Sequence, residues 1–263
     1  MEVLLLGTGS SDGIPNTFCR CATCADYRSR GEVRTNTSVL VDSRLLIDPG
    51  PEAPRQVTRY GRDLADLPVI LAGHAHDDHL APSLLMHRSW VTDAPLVVAG
   101  PAPVVASSRP WLDPHQTTVA FTTLTAGDEV RLDRYRVLAI PANHHALREA
   151  LCYLIDDGTD ALLYLTDTGP LPEAAWAALA GRRVGLVLLE ETFGAAEGKG
   201  DHHHNLRTFS ATVARLRELG VADAHTRVVA IHLGHDNPPL DGLRAELAGI
   251  GAEALPDGSL VVI

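Results

Sequence analysis

The histidines and aspartates of this chain include a motif with the spacing of metal ligands. The stretch "GHAHDDH" at 73–79 contains His74, His76, Asp78 and His79 in the pattern H-x-H-x-D-H. Neutral imidazoles and a carboxylate suit Zn²⁺, Mn²⁺ or Fe²⁺. The alternating spacing lets two neighbouring side chains face one ion while the next pair faces another. The motif therefore predicts a site for two divalent metal ions.

A second metal-binding pattern lies near the N-terminus, where "FCRCATC" at 18–24 contains Cys19, Cys21 and Cys24. Three closely spaced cysteines can supply three of the four ligands of a tetrahedral zinc ion. The only other cysteine, Cys152, lies in an apolar stretch and is interpreted as a core residue, so a histidine is the candidate for the fourth ligand. We expect little secondary structure in this segment. We favour metal over redox chemistry because no C-x-x-C opens a predicted helix.

The elements that position these side chains are short apolar runs alternating with helical patterns, which is typical of an α/β arrangement. His74, His144, Asp167 and His232 each come directly after an apolar run, where an α/β scaffold presents side chains into a crevice. The predicted strands are 2–7, 37–42, 44–48, 67–73, 94–100, 135–141, 152–156, 161–167, 184–190 and 227–232. The predicted helices are 80–89, 171–180, 205–219 and 238–249.

The composition limits the classes of partner. The 33 acidic and 22 basic side chains give a net charge of −11 without a block of Lys or Arg, which disfavours nucleic acid and favours a small substrate. No stretch approaches the ~20 apolar residues of a membrane helix, and no secretory signal is visible. We therefore expect a cytoplasmic protein that does not bind membranes. A length of 263 residues with 45% hydrophobic content fits a single domain over 1–263.

These motifs resemble those of the metallo-β-lactamase superfamily of metallohydrolases, whose α/β fold is a four-layer αββα sandwich with two metals at one sheet edge. The resemblance implies that Asp167 bridges the two ions. It also implies that Asp48, in "LLIDPG", orients a ligand without binding metal. His145 remains an alternative to His144 within "ANHH". The implied ligands are His74, His76 and His144 for one ion, and Asp78, His79 and His232 for the other.

Within the superfamily, the chain resembles the phosphoribosyl 1,2-cyclic phosphate phosphodiesterases. The resemblance lies in "GTGSSDGIPNTFCRCATC", "ANH", "LTDTG", "EETF", "HN" and "IHLGH". It implies hydrolysis of a small cyclic phosphodiester such as 5-phosphoribosyl 1,2-cyclic phosphate, by a hydroxide that the two ions activate. His204 is implied as the general acid, with Asp78 also in the catalytic set. His202 and His203 remain alternatives to His204.

The same resemblance implies a structural zinc in a cysteine loop at about 15–27, bound by Cys19, Cys21, Cys24 and His235. It further implies Zn or Mn, with Fe as another option, in the two-metal site, and a homodimer. "LLEETF" replaces a more usual Asp-Ala-Thr-Phe beside the pocket, which leaves the substrate open. The alternatives are a thioester or lactone hydrolase and a pyrroloquinoline-quinone-biosynthesis-B-like protein. A tRNA 3′-processing endonuclease is disfavoured by the acidic charge.

Overall fold

Two β-sheets form the centre of the computed structural model, which describes residues 1–113, 115, 118–144 and 149–263. The strands are β1 (Glu2–Gly7), β2 (Ser38–Val41), β3 (Leu45–Ile47), β4 (Val69–Leu71), β5 (Leu96–Gly100), β6 (Val119–Thr123), β7 (Glu129–Leu132), β8 (Tyr135–Pro141), β9 (Leu151–Asp156), β10 (Ala161–Leu165), β11 (Leu186–Glu190), β12 (Arg227–Ile231) and β13 (Leu260–Val262). The helices are α1 (Ala22–Arg30), α2 (Ala53–Arg59), α3 (Ser83–Ser89), α4 (Ala102–Ser108), α5 (Glu173–Leu179), α6 (Leu206–Glu218) and α7 (Leu240–Ile250).

The sheets pack face to face because their strands are apolar on both sides. In the described residues, one sheet has the order β13-β1-β2-β3-β4-β5-β6 and the other β12-β11-β10-β9-β8-β7. In β1, Val3 and Leu5 join the core between the sheets, while Leu4 and Leu6 join the core under the helices. This alternation follows from the two-residue period of a strand. Helices α2 and α3 cover the first sheet, and α5, α6 and α7 cover the second. The predicted four-layer αββα sandwich is confirmed.

The structure contains elements that the apolar pattern does not predict. Strands β6, β7 and β13 lie at sheet edges and carry exposed or half-buried side chains; β6 and β7 mix apolar with polar residues, and β13 is apolar but only three residues long. Helices α2 and α4 are only 7 residues long. Helix α1 corrects the expectation of an irregular cysteine segment, since it begins at Ala22 between the second and third cysteines.

The candidate ligands gather where parallel strands end. Strands β3 and β4 are parallel in one sheet, and β10, β11 and β12 are parallel in the other. Asp48, Asp167 and His232 follow β3, β10 and β12 with φ of 50°, 48° and 54°. Residues other than glycine rarely adopt this left-handed conformation, and such strain concentrates at functional sites. None of the helices in the described part of the chain is long and apolar enough to cross a membrane.

Candidate metal centre

The first group of candidate ligands consists of His74, His76, His144 and Asp167, whose ligand atoms all lie within 4.8 Å of one another. His76 Nδ1 is 2.9 Å from His74 Nε2 and 3.4 Å from His144 Nε2. Asp167 Oδ2 is 3.4 Å from His74 Nε2 and 3.7 Å from His144 Nε2. The structure thus brings together the four side chains predicted around one ion. His145, the alternative to His144, lies outside the described residues.

The second group consists of Asp78, His79, Asp167 and His232, all of them buried. His79 Nε2 lies 3.1 Å from Asp78 Oδ2 and 3.2 Å from Asp167 Oδ1. His232 Nε2 lies 2.9 Å from Asp167 Oδ1 and 3.5 Å from Asp78 Oδ2. Asp167 therefore presents Oδ2 to the first group and Oδ1 to the second, which is the arrangement of a bridging carboxylate.

The atoms of this centre fit divalent metal ions. Zinc bonds of 2.0–2.2 Å in a tetrahedral arrangement separate neighbouring N and O ligands by roughly 3.3–3.6 Å, close to the separations observed. His79 Nε2, His232 Nε2 and Asp167 Oδ1 are buried, and among the described residues they have no hydrogen-bond partner despite their proximity. Buried polar atoms without hydrogen bonds are costly unless another ligand satisfies them. A metal ion at the point where these atoms converge would satisfy all three.

The electrostatics of the centre favour cations. Burial opposes protonation of His79, but the Asp167 and Asp48 carboxylates raise its pKa well above the ordinary value. Burial also opposes protonation of His232, but the Asp167 carboxylate raises the pKa of His232 to about 10. The same histidines overcome burial and hold the pKa of Asp167 well below the usual range. Burial lowers the pKa of His144 to about 4. The raised pKa values of His79 and His232 show that the carboxylates favour positive charge here, and bound cations would supply that charge in place of protons.

Two further side chains fix the orientation of metal ligands. Asp48 Oδ2 accepts hydrogen bonds from His79 Nδ1 and from the Tyr164 hydroxyl, each at 2.9 Å. Thr192 Oγ1 lies 3.0 Å from His232 Nδ1, and this hydroxyl donates to Glu190 Oε2. Each histidine thereby directs Nε2 into the centre, and such partners raise metal affinity. Asp48 has the orienting position predicted for it. Thr192 lies within the "EETF" segment quoted from the sequence, but a threonine is not a usual metal ligand and no role was assigned to it.

The predicted zinc ligands Cys19, Cys21, Cys24 and His235 also come together, with their ligand atoms within 4.8 Å of one another. His235 Nδ1 lies 3.5 Å from Cys19 Sγ and 4.0 Å from Cys21 Sγ. Zn–S and Zn–N bonds of about 2.3 and 2.0 Å place tetrahedral S and N ligands roughly 3.5 Å apart. Cys152 is fully buried in β9, away from this group, and lies in the core as the sequence indicates.

The cysteine segment differs from expectation in one respect, because Cys21 caps the N-terminus of α1. The Cys24 amide donates to Cys21 Sγ at 3.4 Å, so a C-x-x-C does open a helix. Burial opposes ionisation of Cys21, but this amide and the neighbouring thiols and His235 lower its pKa to about 7. Burial raises the pKa of Cys24 to about 12. The convergence of His235 on the thiols still favours metal over redox chemistry.

The cysteine segment is connected to the strand end that carries His232. Thr23 Oγ1 donates to the Asn237 carbonyl, and the Ser10 amide donates to Leu233 O at 3.0 Å. His232 itself donates its backbone N–H to Thr37 Oγ1 at 3.0 Å. A zinc ion on His235 would therefore add a further restraint to a chain segment that contains a ligand of the two-metal centre.

The three consecutive histidines at 202–204 occupy different environments. His204 is fully buried, with Nδ1 3.0 Å from Thr208 Oγ1, and burial lowers its pKa to about 4. His202 Nδ1 lies 3.3 Å from Asn143 Oδ1. His203 stacks on His232 with ring centroids 5.6 Å apart. The position of His204 does not support the predicted general-acid role, because its ring faces the protein interior.

His203 faces a cavity of about 270 Å³ beside the metal centre, which Asp78, Asp167 and His232 also line. Its Nδ1 lies 2.8 Å from Oε1 of the buried Glu190. Burial opposes protonation of His203, but Glu190 raises its pKa. The carboxylate of Glu190 accepts further hydrogen bonds from the backbone N–H groups of Thr168 and His204. His203 is thus the member of the histidine run that can exchange a proton with a molecule in the cavity.

Comparison with known proteins agrees with the geometry of the site. The family description "Beta-lactamase superfamily domain" matches residues 43–233. An octanoyltransferase of Porphyromonas gingivalis is 37% identical over 84 residues, which are 30% of this chain and only 16% of that protein. Ribonuclease Z of Mycobacterium marinum is 25% identical over 244 residues, which cover 82% of each chain.

Solved structures share the fold over the whole chain. Zn²⁺-bound PqqB from Methylobacterium extorquens has a TM-score of 0.78 and 19% identity, covering 100% of both chains. A diphosphatase from the PhnP family also has a TM-score of 0.78, with 21% identity and coverage of 100% of this chain and 97% of that one. At identities of 19% and 21%, these two structures support only the assignment of the fold. Because the superfamily domain spans residues 43–233, this chain belongs to the beta-lactamase superfamily.

Proposed function

We propose that this protein is a metal-dependent phosphodiesterase that hydrolyses a small cyclic phosphodiester of the class of 5-phosphoribosyl 1,2-cyclic phosphate. The observation that carries the proposal is the pairing of His203 with buried Glu190 on a cavity that the two-metal centre also lines. Hydrolysis of a phosphodiester needs a nucleophile at phosphorus and a proton for the leaving oxygen. The metal ligands would provide for the nucleophile, and the His203–Glu190 pair would provide the proton. Both line one cavity of about 270 Å³, a size that suits a small substrate.

The ligands would hold two divalent ions, with Zn or Mn as the preferred metals and Fe as another option for this donor set. Bound there, the ions would activate water and neutralise the non-bridging phosphate oxygens. Asp167 holds the two ligand groups together through its two oxygens. Asp48 and Thr192 keep the His79 and His232 rings in position through hydrogen bonds to Nδ1.

His203 is proposed as the proton donor to the leaving oxygen, in place of His204. Glu190 accepts from His203 Nδ1, which directs the other ring nitrogen, Nε2, away from the carboxylate. Glu190 also raises the pKa of His203, so the imidazolium persists to higher pH than in an isolated histidine. A positioned general acid typically contributes about 10²- to 10⁴-fold to the rate.

The dependence on the leaving group tests this role. In metal-reconstituted protein, H203A should lower the hydrolysis of an alkyl phosphodiester by about 10²- to 10⁴-fold. It should affect bis(p-nitrophenyl) phosphate far less, because p-nitrophenolate leaves without a proton. H204A, measured beside it with metal content, should lack this difference between the substrates. Equal losses on both substrates in H203A would contradict the assignment, and no phosphodiester hydrolysis in wild type would reject the function.

Processing of tRNA 3′ ends is a second candidate, favoured by the similarity to ribonuclease Z over 82% of both chains. The net charge of −11 argues against it, because RNA binding depends on cationic side chains that neutralise phosphates. We therefore retain the proposal of a small-molecule substrate without nucleic acid. Cleavage of a precursor tRNA at a rate comparable to that of small phosphodiesters would make tRNA processing the favoured function. The homodimer that the resemblance implies remains a proposal, testable by light scattering.

A further inference from the structure

Asn143 lies between two segments that carry metal ligands and the histidine run. It directly precedes His144 in the sequence. Its backbone N–H donates to Thr168 Oγ1 at 2.9 Å, and its backbone carbonyl accepts from the Gly169 N–H at 3.0 Å. Thr168 in turn directly follows Asp167. The backbone of Asn143 is therefore fixed to the segment of one metal ligand, and the next residue in the chain is another.

The side chain of Asn143 contacts the residues that lead into the histidine run. Its Nδ2 donates to the carbonyl of Asp201 at 2.8 Å and to the carbonyl of Pro170 at 3.0 Å. Its Oδ1 lies 3.3 Å from His202 Nδ1. One amide group thus joins the segment after β10 to the two residues that precede His203.

The two segments joined by Asn143 are also tightly packed against each other. A Cβ added to Gly169 would lie 2.2 Å from the Asp201 carbonyl oxygen and 2.8 Å from the His202 backbone nitrogen. Real Cβ atoms do not approach other atoms within 3.0 Å, so this contact depends on the missing side chain of glycine. The amide of Asn143 and the packing of Gly169 therefore fix the same carbonyl group.

His203 is held from both directions along the chain. On its C-terminal side, the His204 carbonyl accepts from two backbone N–H groups that follow β11, at 3.1 and 3.0 Å. On its N-terminal side, the preceding two residues are held by Asn143. Between these anchors, the centroid of the His203 ring lies 4.9 Å from that of His144 and 5.6 Å from that of His232. A shift of either anchor would move the ring relative to the metal ligands.

We infer that Asn143 is a positioning residue, which holds the backbone before His203 so that this ring reaches the leaving oxygen. The inference rests on the proposed phosphodiesterase function and names what fixes its proton donor. The contact with Glu190 involves only one ring nitrogen of His203, so the place of the ring also depends on the backbone. A displacement of about 1 Å in a reacting group can cost about 100-fold in rate.

Two substrates with different leaving groups separate positioning from a general loss of structure. In metal-reconstituted N143A, kcat for an alkyl phosphodiester should fall roughly 5- to 100-fold, because two neutral hydrogen bonds are lost, and KM should change less than about twofold. Bis(p-nitrophenyl) phosphate, whose leaving group needs no proton, should change less than about twofold. The metal content should equal that of wild type. N143A/H203A should be no slower on the alkyl ester than H203A, because both changes remove one function.

A glycine substitution gives a second perturbation of the same contact. G169A keeps the amide of Asn143 but pushes the Asp201 carbonyl away, so it should show the same selective loss on the alkyl ester. G249A is the matched control. Among the described residues, a Cβ at Gly249 in α7 meets no heavy atom outside its own helix within 4 Å. G249A should therefore leave both substrates unchanged.

Equal losses on the two substrates in N143A, a lower metal content, or no loss on either substrate would overturn the inference. Hydrogen exchange keeps this test separate from the proposed function. If the wild type hydrolyses neither substrate, the proposed function fails. Exchange of the backbone amides at 201–204 in metal-loaded wild type, N143A and G249A then decides about the anchor. Faster exchange in N143A alone supports it, and equal exchange in all three proteins rejects it.

Discussion

Glu191 gives a prediction whose magnitude can be worked out from its burial. The residue follows β11, and its side chain is fully buried. Burial, opposed by the Asn237 amide and reinforced by the Glu190 carboxylate, raises the pKa of Glu191 from 4.5 to about 8. The folded protein therefore holds this carboxyl neutral at pH 7.

The sign of the pH dependence follows from the raised pKa. Between pH 4.5 and about 8 the folded state keeps the Glu191 proton that the unfolded state loses, so stability falls as the pH rises. One pKa unit corresponds to about 1.4 kcal/mol, so the contribution against folding reaches on the order of 4 kcal/mol near pH 8. It is absent below the unfolded pKa. Above about pH 8 it no longer grows, because the folded carboxyl also ionises.

Glu191→Gln removes this penalty, because glutamine has nearly the same shape and stays neutral at every pH. The free energy of unfolding of E191Q relative to wild type should rise by about 1.4 kcal/mol per pH unit between pH 5 and 8. Urea unfolding of both proteins across this range measures the difference. E197Q, at an exposed position in the following loop, is the matched control and should show no slope. A difference between E191Q and wild type that does not vary with pH would refute a neutral Glu191.

Further predictions concern the metals. Cys21→Ser should lose about one zinc per chain and unfold at lower temperature, because a four-ligand site loses a thiolate; an unchanged zinc content would contradict the site. Asp167→Asn should lower the metal content of the two-metal centre, because Asp167 contacts both ligand groups, and should leave the zinc of the cysteine site in place. Elemental analysis of D167N and of the C21S/D167N double variant checks this. Full metal occupancy of the two-metal centre in D167N would contradict the bridging role. The pKa of His232 is raised to about 10 and that of His79 is also raised, so metal binding at pH 7 should release protons and strengthen as pH rises. Calorimetry in buffers of different ionisation enthalpy counts these protons, and zero release would contradict the shifts.

The central strands and the metal ligands could be predicted from the sequence because each has a strong local signal. Strands buried on both faces appear as continuous apolar runs, and the ligands follow these runs directly. The motif H-x-H-x-D-H predicts metal binding from its spacing, and the resemblance to the metallo-β-lactamase superfamily supplied the division of the ligands between two ions. The superfamily and the αββα sandwich are confirmed, and the structure brings together the ligand side chains named from the sequence.

The edge strands and the start of α1 could not be predicted in the same way. Strands β6, β7 and β13 lie at sheet edges and are partly exposed: β6 and β7 mix apolar with polar side chains, and β13 has only three residues, too few for a clear signal. In α1, Cys21 takes the N-cap position that Ser, Thr, Asp or Asn usually occupies. The cysteine segment was therefore interpreted as a loop, although its C-terminal part is helical.

The choice among adjacent histidines depends on helix capping, which spacing does not reveal. Asn205 caps α6 by accepting from the Thr208 amide, and the Thr208 hydroxyl is also the partner of His204 Nδ1. This directs His204 into the interior and leaves His203 beside Glu190 and the cavity. Sequence reasoning selected the histidine that directly precedes Asn205, whereas the burial of that residue leads us to propose the one before it.

The rate constants for different classes of ester test the central claim most directly. Metal-reconstituted protein should be assayed for kcat/KM on five-membered cyclic phosphates, linear phosphodiesters, thioesters and lactones under one set of conditions. A phosphodiesterase with His203 as proton donor predicts that the preferred phosphodiester exceeds every thioester and lactone by at least about 100-fold, or about 3 kcal/mol of transition-state stabilisation. A thioester or lactone turned over faster than any phosphodiester would contradict the proposed function.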